Sequence, residues 1–234
     1  MRVLVTRPAD DAGPTASHLR EMGHTPIVAP LLEVRFRDGP ELSLENIQAI
    51  VATSANGVRA LIRRTTRRDL PVFAVGAQTA AMARASGFSG VKNSDGDSIA
   101  LADAISKWAS AQSGPLLHAA GNEATSKLGT RLIEHGFQLR REVLYDVVAV
   151  ESLPAIAHAA LEQGELDAVL LYSPRSAETF ARCVEAAGLH NTCRNLIAVC
   201  ISQAAADKAK GLPFRELRIA ARASENELLE SLSR

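Results

Sequence analysis

Residues 47–62 read IQAIVATSANGVRALI, and residues 166–184 read LDAVLLYSPRSAETFARCV. Each opens on a short run, QAIVAT in one and DAVLLY in the other, that is apolar almost throughout, as for a strand buried on both faces. Each run ends in a hydroxyl-bearing turn, Thr53 and Ser54 in the first, Ser173 and Pro174 in the second. Helical spacing of apolar residues comes next in both. A strand that feeds a helix through a short loop is half of a parallel crossover, which is right-handed and covers the sheet with helices on both faces.

The rest of the chain extends the pattern to eight strand-to-helix units in two rounds. The first round runs through RVLVTRP (residues 2–8) with a helix near 12–22 and the strand TPIVAP, then 47–62, 71–88 and 91–109. The second begins again at residues 115–150 with the plan of the first unit: strand, loop, helix, glycine, strand. It continues through 166–184, 196–212 and LRIAARASENELLESL. The period is longer than that of a solenoid repeat, so internal duplication accounts for it better. Two doubly wound α/β domains are expected, with ligands at the carboxyl ends of the strands. The repeats alone would divide the chain near Gly114.

Composition narrows the function. The chain has 234 residues, ample for two small domains. Its 26 basic and 26 acidic residues cancel, leaving no global field to draw nucleic acid or membrane. An anionic ligand must therefore be caught by local geometry. The apolar run before Thr6 is too short for a signal segment, and no stretch approaches the roughly 20 residues of a spanning helix. A cytoplasmic location is expected. Cys183, Cys193 and Cys200 lack C-x-x-C spacing and read as reduced, buried thiols. The histidines form no metal-binding pair, so no metal is expected. Walker, G-x-G-x-x-G and triad spacings are absent.

The pieces VLVTRP, TSANGV, VGAQTA, the Gly121–Asn122 pair, VLYDVV around Tyr145, YSPRSAETF and ISQAAA occur in an order, spanning nearly the whole chain, that resembles the uroporphyrinogen-III synthase family. The resemblance implies an architecture that periodicity does not. The first strand-helix-strand unit packs with the C-terminal third, giving one flavodoxin-like α/β domain from residues 1–34 and 151–234 and a second from 39–143. Residues 35–38 and 144–150 then form a two-stranded β-ladder linker. It also implies the reaction: cyclisation of hydroxymethylbilane, a linear tetrapyrrole polycarboxylate, with loss of water and inversion of the last ring through a spiro intermediate, for which no cofactor is expected, in agreement with the absent nucleotide and triad motifs. The sequence carries no signal for the oligomeric state; a monomer is expected, with transient handover of the substrate from hydroxymethylbilane synthase.

On the same resemblance Tyr145 is the candidate catalytic group, a phenol able to assist the departing hydroxyl; the bland reading is a β-forming aromatic in a ladder. Thr53, Ser54 and Asn56 end one strand, and Ser173, Arg175 and Ser176 end its counterpart. Their side chains suit either a substrate carboxylate or helix capping. Gly76 and Thr79 match the family's third loop. Ser202 stands in the paired loop where the family often has glycine, with Ala205 where threonine is frequent. Gly121 and Asn122 match a loop in which glycine allows close backbone approach. Arg7 suits a propionate or an ordinary structural pairing. His118, just upstream of Gly121, reads as a structural histidine. Arg63, Arg64, Arg67 and Arg68 read as a solvated face. Two other functions share these features. One is a non-catalytic two-domain small-molecule-binding protein; the other is a small α/β enzyme acting on a phosphorylated substrate.

Overall fold

The computed structural model describes residues 1–122 and 126–233. Their contacts divide the chain into two compact units, residues 1–33 with 148–234, and residues 34–147. Each unit is an α/β sandwich with a parallel sheet at its centre.

The first unit contains β1 (Arg2–Val5), α1 (Ala9–Glu21) and β2 (Thr25–Val28). It resumes with α6 (Ala155–Glu162), β9 (Ala168–Leu171), α7 (Pro174–Ala186), β10 (Ile197–Cys200), α8 (Gln203–Ala209), β11 (Glu216–Ile219) and α9 (Glu225–Glu230). The strands lie in the order β2-β1-β9-β10-β11, all parallel. Strand alternation sorts the core into two layers. Leu4, Val169, Leu171, Ala198 and Cys200 face α6, α7 and α8, where Phe180 is fully buried. Val3, Val5, Ala168, Leu170, Ile197 and Val199 face α1 and α9 through Leu19 and Leu228. Because both faces are covered, the central strands are apolar on both sides, and each buried leucine contributes roughly 1.5–3 kcal/mol.

The second unit contains β3 (Leu32–Phe36), β4 (Ala49–Ala52), α2 (Ala55–Ile62), β5 (Val72–Val75), α3 (Gly76–Ala85), β6 (Val91–Ser94) and α4 (Ser98–Trp108). After these come β7 (Leu116–Gly121), α5 (Ser126–Glu134) and β8 (Leu139–Ala149). The order is β3-β8-β7-β4-β5-β6, with β8-β7-β4-β5-β6 parallel. Ile50, Ala52, Leu117 and Ala119 face α2 and α3, whereas Ala49, Val51, Phe73 and Leu116 face α4 and α5. The chain leaves the first unit within β3 and returns within β8. Gly114 lies inside the second unit. Its φ is +114°, and a Cβ there would stand 2.6 Å from the Asn46 carbonyl oxygen, so only glycine fits the approach to β7.

The first sheet has the flavodoxin strand order, and the second carries a circularly permuted version of it with β3 added at the β8 edge; in both the chain works outward on both sides of one central gap. In the first unit that switch point lies between β1 and β9; in the second it lies between β4 and β7. The loops leaving these four strands carry most of the residues singled out by sequence.

Candidate active site

The second unit's switch point is built around Tyr145. In the parallel pairing of β7 and β8, Ala120 stands opposite Val143, but Gly121 stands opposite Tyr145. Leu144 is therefore an extra residue, a bulge that re-aims the side chains beyond it. The Tyr145 ring is directed into the layer beneath α2 and is 7% exposed. Gly121 makes room for it: a Cβ there would lie 2.8 Å from the ring's Cε2 and Cζ and 3.1 Å from its hydroxyl. The phenol oxygen lies 2.7 Å from Ser54 Oγ.

Ser54 is the N-cap of α2, its Oγ accepting from the Gly57 N–H at 3.1 Å. That bond leaves the serine hydroxyl's own proton available to the phenol oxygen. Burial raises the pKa of Tyr145, with the Ser54 hydrogen bond pulling in the opposite direction. The phenol is accordingly protonated at neutral pH. Asn122 ties the same corner together, since its N–H donates to the Tyr145 carbonyl at 3.0 Å and its Oδ1 accepts from the Val147 N–H at 3.2 Å.

Beside this pair, Thr53 Oγ1 lies 3.3 Å from Nε2 of His118, which is 3% exposed. Burial, then the nearby Arg141 cation, lower the His118 pKa to about 4, so the imidazole is neutral at pH 7. Arg141 donates through Nη2 to the Gly121 carbonyl at 2.8 Å and to the Asn122 carbonyl at 3.3 Å. Arg141 carries no marker in the sequence, and His118 reads there as a structural histidine. The available signal was the histidine in LLHAAG, a polar side chain in a strand that is otherwise apolar and buried.

Thr53, Ser54, Gly121, Asn122 and Tyr145 are thus gathered at one corner. Asn56 turns away to accept from Arg59 at 2.6 Å. Gly76, at φ +74°, opens α3, whose N-cap Val75 supplies no side-chain bond, and Thr79 is buried within that helix.

In the first unit the candidates are drawn into structural bonds. Ser173 and Ser176 form a reciprocal capping box at α7, with Pro174 at its first position. Ser176 is 1% exposed, and its hydroxyl also donates to the Ser173 carbonyl at 2.9 Å. Ser202 caps α8 by accepting from the Ala205 N–H at 3.3 Å. Arg175 adds to the field that lowers the Glu178 pKa, after the larger effects of Lys208. Arg7 is buried, its Nη1 3.1 Å from Glu225 and its Nη2 3.8 Å from Asp11, with its guanidinium 4.6 Å from the Tyr172 ring centroid. A shallow depression elsewhere in this unit is lined by Val150–Ala155 and His158 and includes none of the candidates. Among the described residues, no group of three or more His, Cys, Asp or Glu is placed to hold a metal ion.

Two doubly wound α/β units, each with hydroxyls and a cation near its switch point, define a class of paired doubly wound proteins. A family model described as "Uroporphyrinogen-III synthase HemD" matches residues 13–230, and the chain belongs to the uroporphyrinogen-III synthase family. A curated protein of Methanocaldococcus jannaschii, described as "Putative uroporphyrinogen-III synthase", is 33% identical over 69 residues. That match covers 30% of this chain and 29% of the relative's length. A crystal structure of uroporphyrinogen-III synthetase from Helicobacter pylori is similar with a TM-score of 0.68 and 20% identity, over 100% of this chain and 99% of that one. A mutant uroporphyrinogen III synthase from Thermus thermophilus has a TM-score of 0.55 and 16% identity, over 100% and 97%. These structures share the fold. No helix among the described residues is long and apolar enough to cross a membrane.

Proposed function

We propose that this chain is a uroporphyrinogen-III synthase, a cyclising hydro-lyase of tetrapyrrole biosynthesis that acts on hydroxymethylbilane. The observation that carries the reading is the Tyr145–Ser54 pair, 2.7 Å apart at a switch point, in a chain of that family. The reaction begins with cleavage of the bond between the substrate's hydroxymethyl carbon and its oxygen. Tyr145 assists by donating its proton toward the leaving hydroxyl, which departs as water and leaves an electrophilic azafulvene. Positioned general acids contribute about 10²–10⁴-fold, and a phenol, being a weak acid, belongs at the lower end. Ser54 supports that role by holding the phenol oxygen at 2.7 Å, and with the serine donating in this bond the phenol O–H is left for the substrate. The last pyrrole then attacks through its substituted α-carbon, and the spiro intermediate fragments and recloses with that ring inverted. Loss of the ring proton returns Tyr145 to its starting state.

Thr53, Ser54, Asn56, Gly76, Thr79, Gly121 and Asn122, together with Arg7, Ser173, Arg175, Ser176 and Ser202, are the proposed binding set for the substrate's carboxylates. A capping serine and the amides of the same turn suit both tasks, since strand-end amides attract anions by about 0.3–1 kcal/mol per helix end. The units are read as two domains linked through residues 35–38 and 144–150. The protein works as a cytoplasmic monomer, a location that the three buried free thiols support, and takes its reactive substrate as hydroxymethylbilane synthase releases it. The test is turnover of freshly prepared hydroxymethylbilane, with the porphyrin isomers separated after oxidation. Formation of the inverted isomer faster than spontaneous closure supports the assignment. Only the uninverted isomer, at the spontaneous rate, rejects it in favour of a non-catalytic binder.

A further inference from the structure

Three polar side chains form a row across the second unit's sheet. Arg141 on β8 is the register partner of His118 on β7, and His118 is in turn the register partner of Val51 on β4. Thr53 lies two residues beyond Val51, the strand period that returns a side chain to the same face. That face is otherwise apolar, made of Ala49, Val51, Phe73 and Leu116 against α4 and α5. Thr53 and His118 touch at 3.3 Å, and the row ends in the exposed guanidinium of Arg141.

Both bonds that Arg141 makes use Nη2, and both go to carbonyls of the turn that also packs against Tyr145. Nε and Nη1 carry the remaining donors. Among the described residues neither has a hydrogen-bond partner, and no carboxylate pairs with this arginine. A solvated surface arginine is normally free to swing. This one is held by two carbonyls, so less rotamer freedom remains to be lost when a ligand docks. The neighbouring imidazole is neutral and offers no opposing charge.

We propose that Arg141 is a substrate-carboxylate-binding residue, fixed through Nη2 by the Gly121 and Asn122 carbonyls so that Nη1 donates one charge-assisted hydrogen bond to an acetate or propionate of the tetrapyrrole. His118, buried, and Thr53, half-buried, form the inner part of the row and keep the guanidinium's surroundings polar and uncharged. The assignment rests on the synthase reading.

The test compares wild type with Arg141→Met and Arg141→Lys in steady state on fresh hydroxymethylbilane. Loss of one charge-assisted hydrogen bond predicts a KM raised about 10-fold in Arg141→Met. A smaller rise is expected in Arg141→Lys, which keeps the charge but not the planar donor geometry, with kcat and melting temperature little changed in both. Equilibrium binding of the stable polycarboxylate uroporphyrin III is measured alongside and is predicted to weaken by a similar factor. An unchanged KM and unchanged uroporphyrin affinity, with only a lowered melting temperature, would show Arg141 to be a strut for the turn and overturn the proposal. If wild type forms no inverted isomer, the synthase reading fails, and the uroporphyrin arm still decides Arg141: equal affinities reject it and a weakened affinity retains it as a carboxylate site.

Discussion

Tyr145 reaches Ser54 because one extra residue, Leu144, enters β8 between two register pairs. Without the bulge the same side chain would keep to the alternation of β8 and miss Gly121. Removing only the hydroxyl should therefore separate chemistry from packing. Tyr145→Phe is expected to lower kcat about 10- to 100-fold, as for loss of a weak general acid, while stability falls by only about 1 kcal/mol for one hydrogen bond. Parallel turnover and thermal-melt measurements check this, and an unaltered kcat would take Tyr145 out of the mechanism. His118 predicts a pH effect. Its folded pKa of about 4 lies below the ordinary 6.5, so the unfolded chain binds the extra proton between those values. Its contribution is intact above pH 6.5 and is lost as pH falls toward 4, by up to about 3 kcal/mol. Urea unfolding at pH 7 and 4.5 should show this loss in wild type, and His118→Gln should lack that part of it; an equal loss in both proteins would contradict the neutral, buried imidazole.

At the scale of elements, the cap of α2 and its seat on β7 are one device. Gly57 lies so close to β7 that an added Cβ would stand 2.5 Å from the Ala119 carbonyl oxygen. Gly57→Ala must lift α2 from the sheet, carrying Ser54 away from Tyr145. A destabilisation of about 1–3 kcal/mol is expected, with a larger fractional loss of turnover than of folded protein. Chemical denaturation and activity at matched folded fractions would test it, and wild-type stability would refute the close approach. These helix starts were legible in the sequence because an N-cap is a local matter. Ser54, Ser173 and Ser202 all stand where strand patterning stops and helical spacing begins, and all three cap. The bulge at Leu144 and the pairing of Arg141 with His118 were not legible, because register between distant strands leaves no local mark in VLYDVV. For the same reason Arg7 could be singled out by motif, while its engagement by Asp11 and Glu225 could not.

Across the whole molecule the two rounds of sequence units do not fold as two consecutive blocks. The order β2-β1-β9-β10-β11 joins the opening of the first round to the remainder of the second, and β8-β7-β4-β5-β6 does the converse. Periodicity reveals the repeat but not the exchange, since the β1–β2 and β7–β8 units have one plan and either could complete either sheet. Contacts far apart in sequence settle the choice. One tie is Arg7 with Glu225, reinforced by a hydrogen bond from Thr15 to the same carboxylate, which join the N-terminal strand's exit to the final helix. The central claim, inversion of one ring during closure, is tested most directly on the product's carbon connectivity. Hydroxymethylbilane carrying ¹³C at its hydroxymethyl carbon and at the free α-carbon of its last pyrrole is turned over, and the product is read by carbon NMR. Closure with inversion keeps the labelled carbons apart, so the predicted product shows no one-bond coupling between them. A coupled product formed at the rate seen without protein would contradict the account.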